Sequence, residues 1–316
     1  MPQCLQARSP EDWLEYFRQR GYRDPRPLAA GVEGAVFDLG DGTVAKVWRQ
    51  RPAGELTLMQ AFYADLADAS LPFATPEILA VEEVGGTAVT FERKLPGQPL
   101  QAHIGFADRR ANPRAVRCLI EVLHALAAVP GTPAMRRLPV LDEGQSFWTG
   151  SPDFGAALTA FLLRRAAKFG DVIREQLPDF DRRCARLLEE LARLSSVPDT
   201  VVHGDLFPGN VLVDDSLRPV AVLDFGFLTT AGDPRLDAAI TASTINMYGP
   251  HATADIPAVT SQVARKLGYP AEALLIYQAA YAVATSNAFT PDGSDGHFAW
   301  CLTQLARPDV SAVLGL

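Results

Sequence analysis

The sequence predicts an α+β chain in two lobes, a small N-terminal one built on an antiparallel sheet and a larger, mainly helical one. Three observations carry this. Between Pro27 and Glu92, short alternating apolar runs recur between turn-forming residues, with one helical segment among them. From Asn112 onward, apolar residues recur at three- and four-residue spacing over long stretches. Within that helical half, the polar stretch 203–210 is flanked by the short apolar runs Val201-Val202 and Val211-Leu212-Val213. At 316 residues the chain is long enough for two lobes, each with its own core.

The elements follow in order. Ser9-Pro10-Glu11-Asp12 opens a helix, with a capping serine, proline in the first turn and acids against the dipole. Trp13, Leu14 and Phe17 give it an apolar side and Gly21 stops it, so it reads as a flap on the first lobe. Pro27 to Trp48 reads as a three-strand meander. Gly31-Val32-Glu33-Gly34-Ala35 is a small glycine-bearing turn, and Asp41-Gly42 is a strong hairpin signal. Thr43 to Trp48 is a strand carrying one lysine, Lys46. Residues 53–69 form a helix with Leu58, Phe62 and Leu66 on one stripe. Pro76 to Val81 and Gly86 to Glu92 are two more strands, completing a five-stranded sheet.

Asn112-Pro113 caps a helix whose apolar side carries Val116, Leu119, Ile120, Leu123 and Leu126. His124 lies near that stripe and reads as a core or half-buried residue. Phe154 to Phe169 and Phe180 to Leu194 give two amphipathic helices, and the last helices run over Pro257–Leu267, Ala271–Asn287 and His297–Ala306. Domain organisation is therefore 1–92 and 93–316.

Charged residues are 21% and apolar ones 48%, a globular balance that argues against general disorder. A net charge of -8 argues against nucleic acid as a partner, because phosphate backbones call for a basic surface. It is compatible with a cationic small molecule, steered by the protein's field. Cys4, Cys118, Cys184 and Cys301 have neither metal-ligand nor redox spacing and read as free thiols. The N-terminus lacks a basic-then-apolar signal, and the uncharged run from Ala273 to Phe289 is too short and polar to span a bilayer. A cytoplasmic location without membrane contact is expected.

The stretch His203-Gly204-Asp205-Leu206-Phe207-Pro208-Gly209-Asn210 is the most informative. A further apolar run, Val220 to Leu223, ends at Asp224-Phe225-Gly226. This order of strand, polar loop, strand, strand and acid brings Asp205, Asn210 and Asp224 to neighbouring strand ends. Phosphoryl transfer needs a carboxylate to orient and deprotonate the attacking hydroxyl, and oxygen ligands for metal ions on the phosphates. An Asp followed five residues later by an Asn, then by Asp-Phe-Gly, has the spacing that supplies both.

These residues resemble the aminoglycoside phosphotransferase and choline kinase-like family, in which His-Gly-Asp stands where protein kinases have His-Arg-Asp. The resemblance implies a protein kinase-like bilobal fold: a small lobe with a five-stranded antiparallel sheet plus one helix, and a larger helical lobe. It implies Asp205 as the base, Asn210 and Asp224 as Mg²⁺ ligands, and ATP or GTP as donor. Gly31 and Gly34 take the place of the phosphate-covering loop, without the full Gly-x-Gly-x-x-Gly. Lys46, in Val-Ala-Lys-Val, is the phosphate lysine, and Glu55 is the helix carboxylate that holds it. The purine edge is expected to meet backbone near Phe91 to Arg93, before Leu95-Pro96-Gly97-Gln98-Pro99-Leu100.

Gly-Asp-Pro-x-x-Asp at Gly232–Asp237 also resembles the family and replaces a long activation loop. Asp233 is expected to brace the loop or line the acceptor side, and Asp237 to begin a helix. Asp292 and Asp295 are candidate amine partners. The acceptor is a small-molecule alcohol, either an aminoglycoside-like antibiotic or another natural product. The alternatives are a metabolic acceptor (choline, a sugar or an amino alcohol) and a nucleotide-binding pseudoenzyme. The complete set of Lys46, Asp205, Asn210 and Asp224 speaks against the pseudoenzyme, and the missing activation segment against a protein kinase.

Overall fold

A computed structural model describes residues 9–31, 33–49, 51–104 and 111–316. Cys4 and Val32 of the glycine turn lie outside these. The chain divides into two compact units, Met1–Pro96 and Gly97–Leu316.

The first unit opens with α1 (Pro10–Gln19), β1 (Arg26–Ala30), β2 (Gly34–Asp38) and β3 (Thr43–Trp48). It continues with α2 (Ala53–Ala67), β4 (Ile78–Val84) and β5 (Thr87–Arg93). Ser9 caps α1 in a full capping box with Asp12, which accounts for its sharp start. The sheet order is β1-β2-β3-β5-β4, with every neighbouring pair antiparallel. Trp13 and Phe17 of α1 pack with Phe37, Ala45, Val47 and Phe91 in one core cluster. Burying each such large side chain contributes about 1.5–3 kcal/mol, so α1 lies against the first lobe as expected and adds to its core. Since alternate residues of a strand face opposite ways, Lys46 lies on the face away from Ala45 and Val47.

In α2 the buried residues are Leu56, Met59, Phe62, Tyr63 and Leu66, while Leu58 is only half-buried. The expected stripe steps by four each time, which drifts about 40° per step on a helix of 3.6 residues per turn. The observed face alternates three- and four-residue steps and stays in line.

The second unit begins with β6 (Gln98–Pro99), α3 (Leu100–Ile104), α4 (Pro113–Leu126), α5 (Phe154–Gln176) and α6 (Phe180–Arg193). Next come β7 (Thr200–Val202), β8 (Val211–Val213), β9 (Pro219–Val222) and β10 (Thr230–Gly232). It closes with α7 (Pro234–Thr244), α8 (Ala252–Leu267), α9 (Ala271–Thr285), α10 (Gly296–Ala306) and α11 (Pro308–Val313). β6, β8 and β9 form one small sheet, and β7 pairs with β10 in another. The short α3 and α11, and the three-residue β10, carry too little periodicity to be read from sequence. His124 is exposed, not core: the apolar face of α4 runs through Val122, Leu123 and Leu126 and passes it by. Cys118, Cys184 and Cys301 are buried free thiols. Among the described residues no helix is long and apolar enough to cross a membrane.

Candidate active site

The loop after β7 is held by hydrogen bonds to its own backbone. Val211 of β8 pairs with Val222 of β9, and the Leu223 amide donates to the Asn210 carbonyl at 2.8 Å. The hairpin thus returns the chain to the loop just before Asp224. His203 adds a second tie: its Nε2 meets the Leu223 carbonyl at 2.8 Å, and its Nδ1 accepts from the Asp205 amide at 3.2 Å. With Nδ1 accepting, Nε2 carries the proton and the ring is neutral. Burial pushes its pKa down to about 4. Both nitrogens are committed, so His203 is a strut for the loop and not a base. Its ring lies 4.3 Å from that of Phe225, centroid to centroid.

Asp237, in the first turn of α7, holds the other side. Its two carboxylate oxygens accept the His203 and Gly204 amides at 2.7 and 2.8 Å, and it is fully enclosed. Burial pushes its pKa up to about 6, against the pull of these two bonds. The expected roles of the two acids are exchanged. Asp237 braces the loop, while Asp233 caps α7 by accepting from the Arg235 amide and is bound by the Arg235 guanidinium and the Tyr277 hydroxyl. A cap at Asp233 places the helix start four residues earlier than expected, with Asp237 facing inward.

Gly204 is required where it stands. Its φ is +81°, and a Cβ there would lie 2.3 Å from the Leu228 carbonyl carbon. The Gly204→Ala variant is expected to lose roughly 3 kcal/mol of stability or more, through left-handed strain and displacement of Leu228. Denaturant titration checks this; a midpoint unchanged from wild type would refute it.

Asp205 and Asn210 meet directly. The Asn210 amide nitrogen donates to the Asp205 carbonyl at 2.9 Å and approaches its carboxylate at 3.4 Å. That commits Nδ2 and leaves Oδ1 as an uncommitted acceptor among the described residues. Asp224 follows the hairpin with its side chain exposed and a φ of +53°, a left-handed conformation that costs a non-glycine residue of order 1 kcal/mol. Beyond it, the Gly226 amide donates to the Thr229 hydroxyl at 2.6 Å, and that hydroxyl donates to the His203 carbonyl. Asp205, Asn210 and the Leu223–Asp224 segment are therefore one hydrogen-bonded knot within the second unit.

The other candidates lie in the first unit. Gly31 and Gly34 close the turn before β2, the Gly31 amide donating to the Gly34 carbonyl at 2.9 Å. A Cβ at Gly34 would fall 1.9 Å from the Val47 carbonyl oxygen, so only glycine lets β2 approach β3 there. Lys46 Nζ donates to Glu33 at 3.1 Å and lies 4.0 Å from the Trp48 ring centroid. Glu33 also accepts from Arg51 at 3.1 Å. Glu33 is a residue that sequence reasoning missed; its one signal was an acid inside the glycine turn. Glu55 sits half-buried in the first turn of α2. Phe91 and Arg93 lie in β5, where Phe91 is paired to Ala45 and Ala80 on its two sides and the Arg93 amide donates to the Glu77 carbonyl.

The sheet, the helical unit and the knotted loop define a phosphotransferase of kinase-like fold. The sequence matches the family model described as "Phosphotransferase enzyme family" over residues 24–275, and the chain belongs to that family. Solved structures share its fold. Macrolide 2'-phosphotransferase MphH from Brachybacterium faecium is 19% identical with a TM-score of 0.59, covering 94% of this chain and 99% of that one. Aminoglycoside 2'-phosphotransferase-IIIa, in a GDP complex, is 15% identical with a TM-score of 0.61, covering 93% and 96%. Aminoglycoside phosphotransferase APH(3'')-Id from Streptomyces rimosus, with ADP and streptomycin, is 17% identical with a TM-score of 0.54, covering 87% and 98%. No curated protein matches the sequence.

Proposed function

We propose that this chain moves the γ-phosphoryl group of ATP or GTP to a hydroxyl of a small natural product of the antibiotic type, in the cytoplasm. The observation that supports this most is the knot that ties Asn210 to Asp205 and both to the residue before Asp224. Relatives in fold that hold ADP with streptomycin, or GDP, support a nucleotide donor and a natural-product acceptor.

Asp205 is the base. The acceptor O–H gives its proton to the Asp205 carboxylate, its oxygen bonds to the γ-phosphorus, and the bond from that phosphorus to the β–γ bridging oxygen breaks, leaving ADP or GDP. Lys46 fixes the nucleotide phosphates beneath Gly31 and Gly34. The phosphates compete with Glu33 for its ammonium, and Glu55 is the carboxylate left to steady it. Backbone near Phe91 to Arg93 meets the purine.

The donor set fits Mg²⁺. Asn210 Oδ1 and the exposed Asp224 carboxylate are hard oxygens and would hold the ion together with nucleotide phosphates. No group of three or more acidic, histidine or cysteine side chains among the described residues would hold an ion without the nucleotide. When bound, Mg²⁺ offsets charge on the β- and γ-oxygens. Asp224→Ala is therefore expected to weaken Mg²⁺-dependent ADP binding by tenfold or more in calorimetry, with metal-free binding unchanged. Equal affinities for the two proteins in Mg²⁺ would remove Asp224 from the metal shell.

A further inference from the structure

The glycine turn of the first unit carries an acid held between two cations. Glu33 stands between Gly31 and Gly34, and its two carboxylate oxygens are divided. Oε2 accepts from Lys46 Nζ and Oε1 from Arg51 Nη2, each at 3.1 Å. Lys46 belongs to β3, and Arg51 to the short segment between β3 and α2. Trp48 serves both cations. The lysine ammonium lies 4.0 Å and the arginine guanidinium 5.6 Å from its ring centroid. The ring is itself fixed, being buried, with its indole N–H donating to the Thr90 hydroxyl at 3.0 Å. An aromatic face attracts positive charge, so Trp48 helps to gather two groups that repel one another. Arg51 also reaches α2, where its Nη1 lies 3.9 Å from the Met59 sulfur.

Shelter is unevenly shared in this cluster. The Lys46 and Arg51 side chains are 13% and 19% exposed, and that of Glu33 is 41% exposed. The two cations are therefore held by the strand, the ring and α2, while the acid that bridges them faces water. Water screens an exposed ion pair and makes it weak, so Glu33 is the member that can leave. A phosphate group offers the same bridging pair of oxygens with more charge, and bonds between ionised partners are the strong ones. The planar guanidinium of Arg51 also matches two phosphate oxygens at once, which an ammonium does not.

We propose that Arg51 is a second phosphate-binding residue for the nucleotide, and that Glu33 is a built-in substitute for the phosphates, which holds Lys46 and Arg51 side by side and yields both when the nucleotide binds. This rests on the transfer reading given above, in which Lys46 takes the phosphates. The glycine turn withdraws Glu33, and the two cations stay on Trp48 to receive the polyphosphate.

The test uses the full-length protein in Mg²⁺, with calorimetric titration of ADP and GDP and equilibrium dialysis of adenosine and guanosine. Arg51→Met keeps an unbranched stem beside Trp48 and removes the charge. It is expected to weaken binding of the diphosphate by about tenfold or more, with the matching nucleoside within about twofold of wild type. Arg51→Lys restores the charge without the fork and should fall between the two. Glu33→Gln keeps the shape and removes the competing charge, so it should tighten the diphosphate by about threefold and leave the nucleoside unchanged. Three results each overturn the proposal: a diphosphate Kd for Arg51→Met within about twofold of wild type, an equal loss for diphosphate and nucleoside, or a Glu33→Gln protein that binds the diphosphate no more tightly than wild type. Lys46→Met separates the two readings. If it leaves diphosphate binding unchanged, the placement of the phosphates on Lys46 fails and the proposal fails with it. If it weakens binding where Arg51→Met does not, only the role of Arg51 falls.

Discussion

Replacing Asp205 with alanine is expected to lower kcat by about 10³-fold or more while leaving the affinity for Mg²⁺-nucleotide within about twofold. General-base catalysis contributes typically 10²–10⁴-fold, and in the proposed mechanism Asp205 takes the hydroxyl proton. Such a loss corresponds to about 4 kcal/mol of transition-state stabilisation. The binding half follows from the geometry. Asn210 is anchored chiefly to the backbone carbonyl of Asp205, a bond that alanine retains, and only the longer contact to the carboxylate goes. Asp205→Asn keeps the shape and loses the basicity, so it should behave like the alanine variant in kcat. Steady-state phosphorylation assays with calorimetric ADP binding check both halves. Turnover within tenfold of wild type in either variant would take the base role from Asp205. A parallel collapse of nucleotide affinity would mean that the carboxylate is needed to shape the metal site.

The hydrogen-bonded loop that carries the candidate residues was legible because the proposed chemistry calls for fixed residue types at fixed spacing. Asp205, Asn210 and Asp224 are tied to one hairpin, and the apolar runs around them read as strands without further help. The strands and the α1 cap were legible for the same reason, since local chemistry decides them. What the sequence could not carry depends on direction in space. Asp233 and Asp237 are four residues apart on one helix, and only the packing of α7 under the loop shows which of them faces His203. Glu33 and Glu55 are likewise both acids near a lysine in the chain; the fold of the glycine turn brings Glu33 to Lys46.

Asp237→Asn is expected to lower both stability and turnover, although Asp237 lies outside the reacting groups. Among the described residues the Asp237 carboxylate is the one acceptor of the His203 and Gly204 amides, and both lie in the buried interior. An asparagine offers one acceptor oxygen and must turn its NH₂ toward the other amide, so one buried donor loses its partner and a second faces it. Leaving buried donors unpaired costs about 1–3 kcal/mol each, giving a destabilisation on the order of 3 kcal/mol with loss of loop geometry and hence of kcat. The pH dependence distinguishes this from a general loosening. With its pKa pushed up to about 6, Asp237 keeps a proton in the folded state that it would give up when unfolded, so it costs stability as pH rises from about 4 to 6. His203, pushed down to about 4, does the reverse: the unfolded chain takes up its proton first, and stability is lost as pH falls from about 6.5 toward 4. In the wild type the two slopes oppose each other over the same window. Asp237→Asn removes one of them and leaves the His203 slope exposed. The variant should therefore lose stability on acidification from pH 6.5 to 4 more steeply than the wild type, as read from urea midpoints across that range. Parallel pH profiles for the two proteins would show that Asp237 is not the group that titrates against His203.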